Sequence, residues 1–180
     1  MLNNINVSGL SEYANEVREF PVEGQTKWGV ELNWVSGTRM EVKTLPMQLG
    51  EFKLSRNFNF EVDEPTQLGG INCAANPQEY LMTGVVSCIA VTFMAGATAN
   101  QIAIDSLKMQ LKGEINLQGF LGLNNEQHAG FQELELDIIV KGEGSQEDFD
   151  NLLNQVKKYS PNFNNMQNEV RIKPNLVIED

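Results

Sequence analysis

A long run of residues without any charge is the feature that most constrains the fold of this chain. No Asp, Glu, Lys or Arg occurs between Glu79 and Asp105. Asn76 suits the N-cap position and Pro77 the first helical position, so the sequence predicts a helix from Asn76 to about Ala99. Because this helix is apolar on nearly every side, we expect it to be buried.

An apolar helix of this kind needs cover on two sides, and one sheet covers only one of them. The simplest source of the second cover is another copy of the chain, and a twofold dimer is the commonest arrangement. Gly84 and Gly96 interrupt the helix, each at a cost of about 1 kcal/mol in helix propensity. We therefore expect a homodimer in which two such helices pack together, with Gly84 or Gly96 at the point of close approach.

Composition and charge narrow the class of protein. The chain has 180 residues and a net charge of −11, which argues against binding to nucleic acid or to anionic membranes. The apolar run is about long enough to cross a bilayer, but hydroxyl groups and glycines dilute it and no Lys or Arg flanks it closely. The first residues lack the basic and apolar segments of a signal peptide. We expect a cytoplasmic protein that uses neither membranes nor nucleic acids.

Few side chains are available for metal or cofactor chemistry. The chain has two cysteines, Cys73 and Cys88, and one histidine, His128. The cysteines lack CxxC spacing, one histidine provides no zinc constellation, and His128 lies in a stretch typical of a solvated loop. No glycine-rich nucleotide motif is present. We expect no metal and no cofactor.

The apolar periodicity predicts an α+β fold of antiparallel sheets around the long buried helix. Residues 8–19 form a predicted N-terminal helix, so we divide the chain into an extension, 1–22, and one domain, 23–180. Strands are predicted at 27–35, 39–45, 52–62, 102–116, 131–141 and 170–178. Ser145 is predicted to cap a further helix, and Ser160 to cap a short helix that begins at Pro161.

Four short motifs together resemble one known family. They are Asp63-Glu64-Pro65, Gly69-Gly70, Asn76-Pro77-Gln78-Glu79-Tyr80-Leu81 and Ser87-Cys88. This pattern resembles the OsmC/Ohr family of thiol-dependent hydroperoxide reductases over most of the chain from residue 27 to residue 178. The resemblance implies an OsmC-like fold, in which an intertwined homodimer holds two central helices between two sheets.

The resemblance also implies a chemistry. A cysteine matching Cys88 attacks a peroxide, and a second cysteine before a proline resolves the sulfenic acid to a disulfide. Here that second position is Ser160, which cannot form a disulfide. The family's supporting glutamate falls at Gln78, and Arg56 is the nearest candidate for the arginine that stabilises the thiolate. Asn59 lies closer to the expected alignment, and Arg39 is a weaker option.

Each cysteine also has a simpler interpretation. Cys88 could be a small apolar residue in a packed helix, since free cysteine is among the most buried residue types. Without a nearby cation, a buried thiol is inert. Cys73 could be a surface thiol with no role, or a resolving thiol that reaches Cys88 across a dimer interface or after movement of its loop.

The leading hypothesis is therefore a homodimeric protein that reduces organic hydroperoxides, or a related small electrophile, with Cys88 as the nucleophile and an external thiol as reductant. In this hypothesis Arg56 stabilises the thiolate, and Gln78 binds the peroxide or the arginine. The alternative is a dimeric binding protein on the same fold that has lost peroxidase activity. Its apolar ligand would lie at the interface near Met82, Phe93 and Phe120. A structural dimer without a small-molecule role is the third possibility.

Overall fold

The computed structural model describes residues 1–179, which form two compact units, one spanning Asn3–Thr83 and one that begins at Gly84. The helices are α1 (Val7–Glu19), α2 (Pro77–Ala99), α3 (Leu117–Phe120), α4 (Gln146–Tyr159) and α5 (Pro161–Gln167). The strands are β1 (Thr26–Lys27), β2 (Val30–Ser36), β3 (Arg39–Thr44), β4 (Met47–Leu49), β5 (Phe52–Leu54), β6 (Asn59–Val62), β7 (Ile104–Gly113) and β8 (Leu134–Gly142).

The first unit contains two small antiparallel sheets. One has the strand order β2-β3-β6, with Val42 of β3 paired to Leu32 of β2 and to Phe60 of β6. The other has the order β1-β4-β5. The first turns of α2 are fixed to β6, because the Tyr80 hydroxyl donates to the carbonyl of Glu61 at 2.6 Å and its ring packs on Phe60.

The second unit is built on the long antiparallel pair of β7 and β8. Residues four apart along α2 form its buried face, and they pack against α4 and the inward side chains of the two strands. The buried members of this core are Val85, Ile89, Phe93, Ala97, Ile102, Leu152 and Val156. The α+β fold class predicted from the sequence is confirmed.

The opposite side of α2 is uncovered in a single chain. Val91, which points away from the buried face, is 70% exposed, so burial holds for one face of the helix only. α2 is also long and apolar enough to cross a membrane, but the core helix of a soluble protein meets the same two criteria. The packed face from Val85 to Ala97 is that of a core helix, as predicted.

Several local predictions need correction. Residues 170–178 form neither a strand nor a helix, although their apolar residues alternate. The strand predicted over 52–62 is two strands, β5 and β6, which belong to different sheets. Gly96 is one of the two glycines expected at a close approach of two copies of the helix. A Cβ atom there would lie 2.9 Å from the side chain of Gln155, so α4 of the same chain approaches this glycine.

The predicted helix ends are largely confirmed. Asn76 accepts from the amide of Glu79 at 2.9 Å, and Glu79 accepts from the amide of Asn76 at 2.8 Å, which is a capping box at the start of α2. Ser145 and Asp148 form the same reciprocal box at the start of α4. The division into an extension, 1–22, and one domain, 23–180, stays a prediction. The boundary between the two compact units lies at a different place, between Thr83 and Gly84 within α2.

Candidate active site

Cys88 lies in the middle of α2, beside the buried face of the helix, and is half-buried. One polar side chain of the second unit touches its thiol: the hydroxyl of Ser160 donates to Cys88 Sγ at 3.4 Å. These two residues are 72 positions apart in the chain. The structure therefore brings Ser160 to the thiol, at the position where the family resemblance places a second cysteine.

Ser160 occupies the junction between α4 and α5 and is fully buried. It stands at the N-cap position of α5, as predicted, but its side chain makes no capping hydrogen bond. The prediction of a capping role for this hydroxyl is wrong, because the hydroxyl turns to Cys88 instead. Asn162, two residues later, donates to the carbonyl of Gly84 at 2.7 Å.

The other predicted site residues, Arg56 and Gln78, belong to the first unit. Gln78 is an exposed residue in the first turn of α2. The guanidinium of Arg56 lies over the ring of Phe58, 4.6 Å from its centroid. Because Cys88 belongs to the second unit, the assembly of these three residues into one site stays a prediction.

The two alternative candidates for the thiolate partner also lie in the first unit. Arg39 forms an ion pair with Glu61 at 2.8 Å, and this hydrogen bond raises the pKa of Arg39. Asn59 begins β6 opposite Lys43 and is exposed. Arg39 is thus already engaged by a carboxylate, whereas no acid pairs with Arg56 in residues 1–179.

The second cysteine has a different environment, organised by the buried carboxylate of Asp63. Asp63 accepts from the hydroxyl of Thr38 at 2.8 Å and from the amides of Ile71 and Cys73 at 3.0 and 3.1 Å. These hydrogen bonds, with that of Thr38 the strongest influence, hold the pKa of Asp63 far below its usual range. The carboxylate therefore fixes the loop that carries Cys73.

The loop is also fixed by a close backbone contact. A Cβ atom at Gly70 would lie 1.8 Å from the carbonyl oxygen of Glu64, so only glycine fits there. The role of Asp63 was missed in the sequence, although its signal, an acid just before a Gly-Gly loop, was present.

The environment of Cys73 favours its protonated form. Cys73 is an exposed residue, but loss of water around its thiol raises the pKa of Cys73, and the hydrogen bond and charge of Asp63 raise it further. The positive charge of Arg39 acts in the opposite direction with a smaller effect. A thiol with a raised pKa is a poor nucleophile at neutral pH.

Two cavities accompany these residues. In the first unit a pocket of about 400 Å³ is lined mainly by apolar side chains, among them Trp28, Leu45 and Met47, together with Arg56. In the second unit a polar cleft of about 700 Å³ lies at the end of the β7–β8 pair, and neither cysteine lines it. Phe93, predicted to line a ligand pocket, is instead a core residue with 2% exposure. No cluster of metal-binding side chains occurs in residues 1–179.

Comparison with protein families identifies the chain. A family model described as "OsmC-like protein" matches residues 69–175. The chain belongs to the OsmC-like family. The matched segment contains both cysteines and Ser160, so the resemblance drawn from the sequence motifs is confirmed.

Solved structures of OsmC-like proteins share the fold. An OsmC-like protein from Mycoplasma pneumoniae is 20% identical with a TM-score of 0.59, over 79% of this chain and 87% of that one. An organic hydroperoxide resistance protein from Elizabethkingia anophelis is 22% identical with a TM-score of 0.52, over 78% of this chain and 88% of that one. Comparison with curated protein sequences gives no significant match.

Proposed function

We propose that this OsmC-like protein is a cytoplasmic thiol peroxidase that reduces organic hydroperoxides as part of oxidative-stress defence, with Cys88 as its nucleophile. The observation that carries the proposal is the half-buried Cys88 thiol on α2, held against the hydroxyl of Ser160. It is supported by the family and by relatives of the same fold, two of which are named organic hydroperoxide resistance proteins.

The reaction needs one cysteine in the protein and a thiol donor outside it. The Cys88 thiolate attacks the terminal oxygen of the hydroperoxide, the O–O bond breaks, and the alkoxide leaves and takes a proton to become an alcohol. Sulfur is oxidised to a sulfenic acid by the two electrons that reduce the peroxide. An external thiol then displaces water to form a mixed disulfide, and a second thiol releases Cys88 as the thiol.

Arg56 and Gln78 complete the proposed site. The thiolate is favoured by a nearby guanidinium, and Arg56 has no competing carboxylate among the described residues, unlike Arg39 with its Glu61 partner. We assign Arg56 the role of stabilising the thiolate, and Gln78 that of hydrogen bonding to the peroxide or to the arginine.

The first test is selective oxidation of the reduced protein. Protein reduced with dithiothreitol is exposed to a slight excess of cumene hydroperoxide and mapped by peptide mass spectrometry. We expect fast oxidation of Cys88, loss of peroxide consumption in Cys88→Ser, and near-normal consumption in the matched control Cys73→Ser. Unchanged peroxide turnover in Cys88→Ser would overturn the proposal. A disulfide between Cys73 and Cys88 would show that Cys73, and not an external thiol, reacts with the sulfenic acid of Cys88.

We propose that the protein assembles as a homodimer, because two of its apolar surfaces are exposed in a single chain. β2 is an edge strand, and its apolar side chains remain exposed in one chain: Val30 63%, Leu32 54% and Trp34 68%. Trp28, two residues before the strand, is also 68% exposed. Long exposed edges with apolar faces are rare in monomers, because they promote association. The uncovered Val91 side of α2 is a second such surface. Both are covered if two copies associate.

Sedimentation velocity tests the dimer. We expect the mass of two chains for the native protein and a shift to the monomer for Leu32→Glu, since a charge at the centre of the apolar β2 face opposes association. The matched control is Asn33→Glu, which places the same charge on the other face of β2 and is expected to leave the dimer intact. A monomeric native protein at micromolar concentration would contradict the proposal.

A binding protein on the same fold is the second candidate, and the apolar pocket of the first unit favours it. Its Trp28, Leu45 and Met47 side chains suit an alkyl or aryl chain, and the guanidinium of Arg56 suits a carboxylate. Thermal stabilisation by dodecanoate that is lost in Arg56→Gln, with no oxidation of Cys88, would favour this candidate over the peroxidase.

A further inference from the structure

The junction between α4 and α5 makes two polar contacts with one face of α2. The Ser160 hydroxyl donates to Cys88 Sγ, and Asn162 Nδ2 donates to the carbonyl of Gly84. Gly84 and Cys88 are four residues apart, so they lie one turn apart on the same side of the helix. The junction therefore meets α2 at two points one turn apart, and of these two contacts only that of Ser160 reaches the thiol.

The backbone of Ser160 is itself fully hydrogen bonded. Its amide donates to the carbonyl of Val156 at 2.9 Å, and its carbonyl accepts from the amide of Asn164 at 3.1 Å and from the Asn164 side chain at 2.9 Å. Ser160 has no exposed surface, so no water competes for its hydroxyl. The side chain points to sulfur and not to the amides at the start of α5, so Ser160 does not accept the capping bond that a serine at this position usually accepts.

We propose that Ser160 is a positioning residue for Cys88, whose hydroxyl stabilises the thiolate and then the oxidised sulfur while preventing an internal disulfide. A hydrogen bond to the charged form of a group favours that form, and it is stronger where water is excluded. A hydroxyl cannot be oxidised to a disulfide, so the sulfenic acid at Cys88 remains available to an external thiol. This inference rests on the proposed function, and it names the residue that makes the one-cysteine cycle work.

The decisive readout is the pH dependence of Cys88 alkylation by iodoacetamide, measured without peroxide in the full-length Cys73→Ser protein. Ser160→Ala is expected to move the midpoint of this profile upward, because the hydroxyl no longer donates to the charged form of sulfur. The matched control is Asn162→Ala, which removes the neighbouring contact to Gly84 but keeps the hydroxyl. Its midpoint is expected to stay in place.

A midpoint that moves equally in Ser160→Ala and Asn162→Ala would mean that Ser160 only packs the junction, and it would overturn the inference. A shift specific to Ser160→Ala in a protein that consumes no peroxide would support the positioning of the thiol and overturn the proposed function instead. Peroxide consumption with no shift in Ser160→Ala would leave the function standing and overturn the inference.

A second variant covers the case in which Ser160→Ala fails to fold. Ser160→Cys keeps the size of the side chain and places a thiol against Cys88, in the same Cys73→Ser background. One equivalent of 2,2′-dithiodipyridine, or of cumene hydroperoxide, is expected to join positions 88 and 160 in an intramolecular disulfide with loss of both thiols. Two thiols that remain free in the folded variant would show that the side chains do not meet, and would overturn the inference.

Discussion

The two cysteines of this OsmC-like protein are held in opposite ways. Cys73 lies in a loop that is fixed by a buried carboxylate, and the negative charge of Asp63 disfavours its thiolate. Cys88 lies on a helix that is fixed by apolar packing, and its polar neighbour is the neutral hydroxyl of Ser160. The exposed thiol is thus the one whose surroundings oppose reactivity, so exposure alone does not identify a nucleophile.

The surroundings of the two cysteines are also stabilised by different kinds of interaction. In the first unit the loop depends on hydrogen bonds to one charged group, which respond to pH. In the second unit the helix depends on apolar contacts around Ile89 and Phe93, which respond to side-chain volume. Substitutions of each kind can therefore change the surroundings of one cysteine and leave the other as it was.

The largest expected effect is that of Ile89→Ala. Ile89 is 1% exposed in the core of the second unit, and the substitution leaves a cavity beneath the helix that carries Cys88. We expect a loss of about 2–5 kcal/mol in the free energy of unfolding, measured by urea denaturation. The control is Asn154→Ala on the exposed side of α4, which should stay within about 0.5 kcal/mol. A comparable loss in both variants would argue against a core centred on α2.

The next effect is that of Asp63→Asn. The amide cannot accept all of the hydrogen bonds from Thr38, Ile71 and Cys73, so we expect a melting temperature several degrees lower. Removal of the charge should also speed alkylation of Cys73 at pH 8, by roughly two- to fivefold. Glu64→Gln, which removes a neighbouring charge but none of these bonds, is the control. Faster alkylation in both variants would assign the effect to net charge rather than to Asp63.

Acid should weaken the first arrangement selectively. Because the pKa of Asp63 is depressed in the folded protein, the carboxylate contributes its full stabilisation above the unfolded value of about pH 4, and this contribution is lost as the pH falls further. The urea midpoints of the native protein and Asp63→Asn should therefore draw closer as the pH falls from about 4 to about 2. A gap that stays constant over this range would show that Asp63 does not titrate as expected.

The smallest effect is expected at the start of α4. Ser145→Ala removes the capping box with Asp148 and should cost about 1 kcal/mol in the free energy of unfolding. The rate of Cys88 alkylation should not change, because Ser160 lies at the other end of the helix. A slower or faster alkylation would mean that the whole of α4, and not the junction with α5, sets the environment of the thiol.

Much of the fold was predictable because its signals are local. The start of α2 at Pro77 follows from Asn76 and the proline, and the start of α4 follows from Ser145. β7 and β8 were found through alternating apolar residues. The strand predicted over 170–178 has the same alternation but pairs with no strand in residues 1–179. The periodicity there reflected a pattern of side chains and not a hydrogen-bonded element.

The sequence by itself determined the helix of the site, its ends, the position of Cys88 on it and the family. Those features depend on residues within a few positions of one another, or on short motifs at fixed spacing. Only the tertiary structure decided that Ser160 faces sulfur instead of capping α5, and that Asp63 organises the loop of Cys73. Serine and aspartate side chains can also hydrogen bond to nearby backbone groups, so the local sequence does not select one partner. The choice is made when the folded unit brings a distant polar group close and excludes water from it.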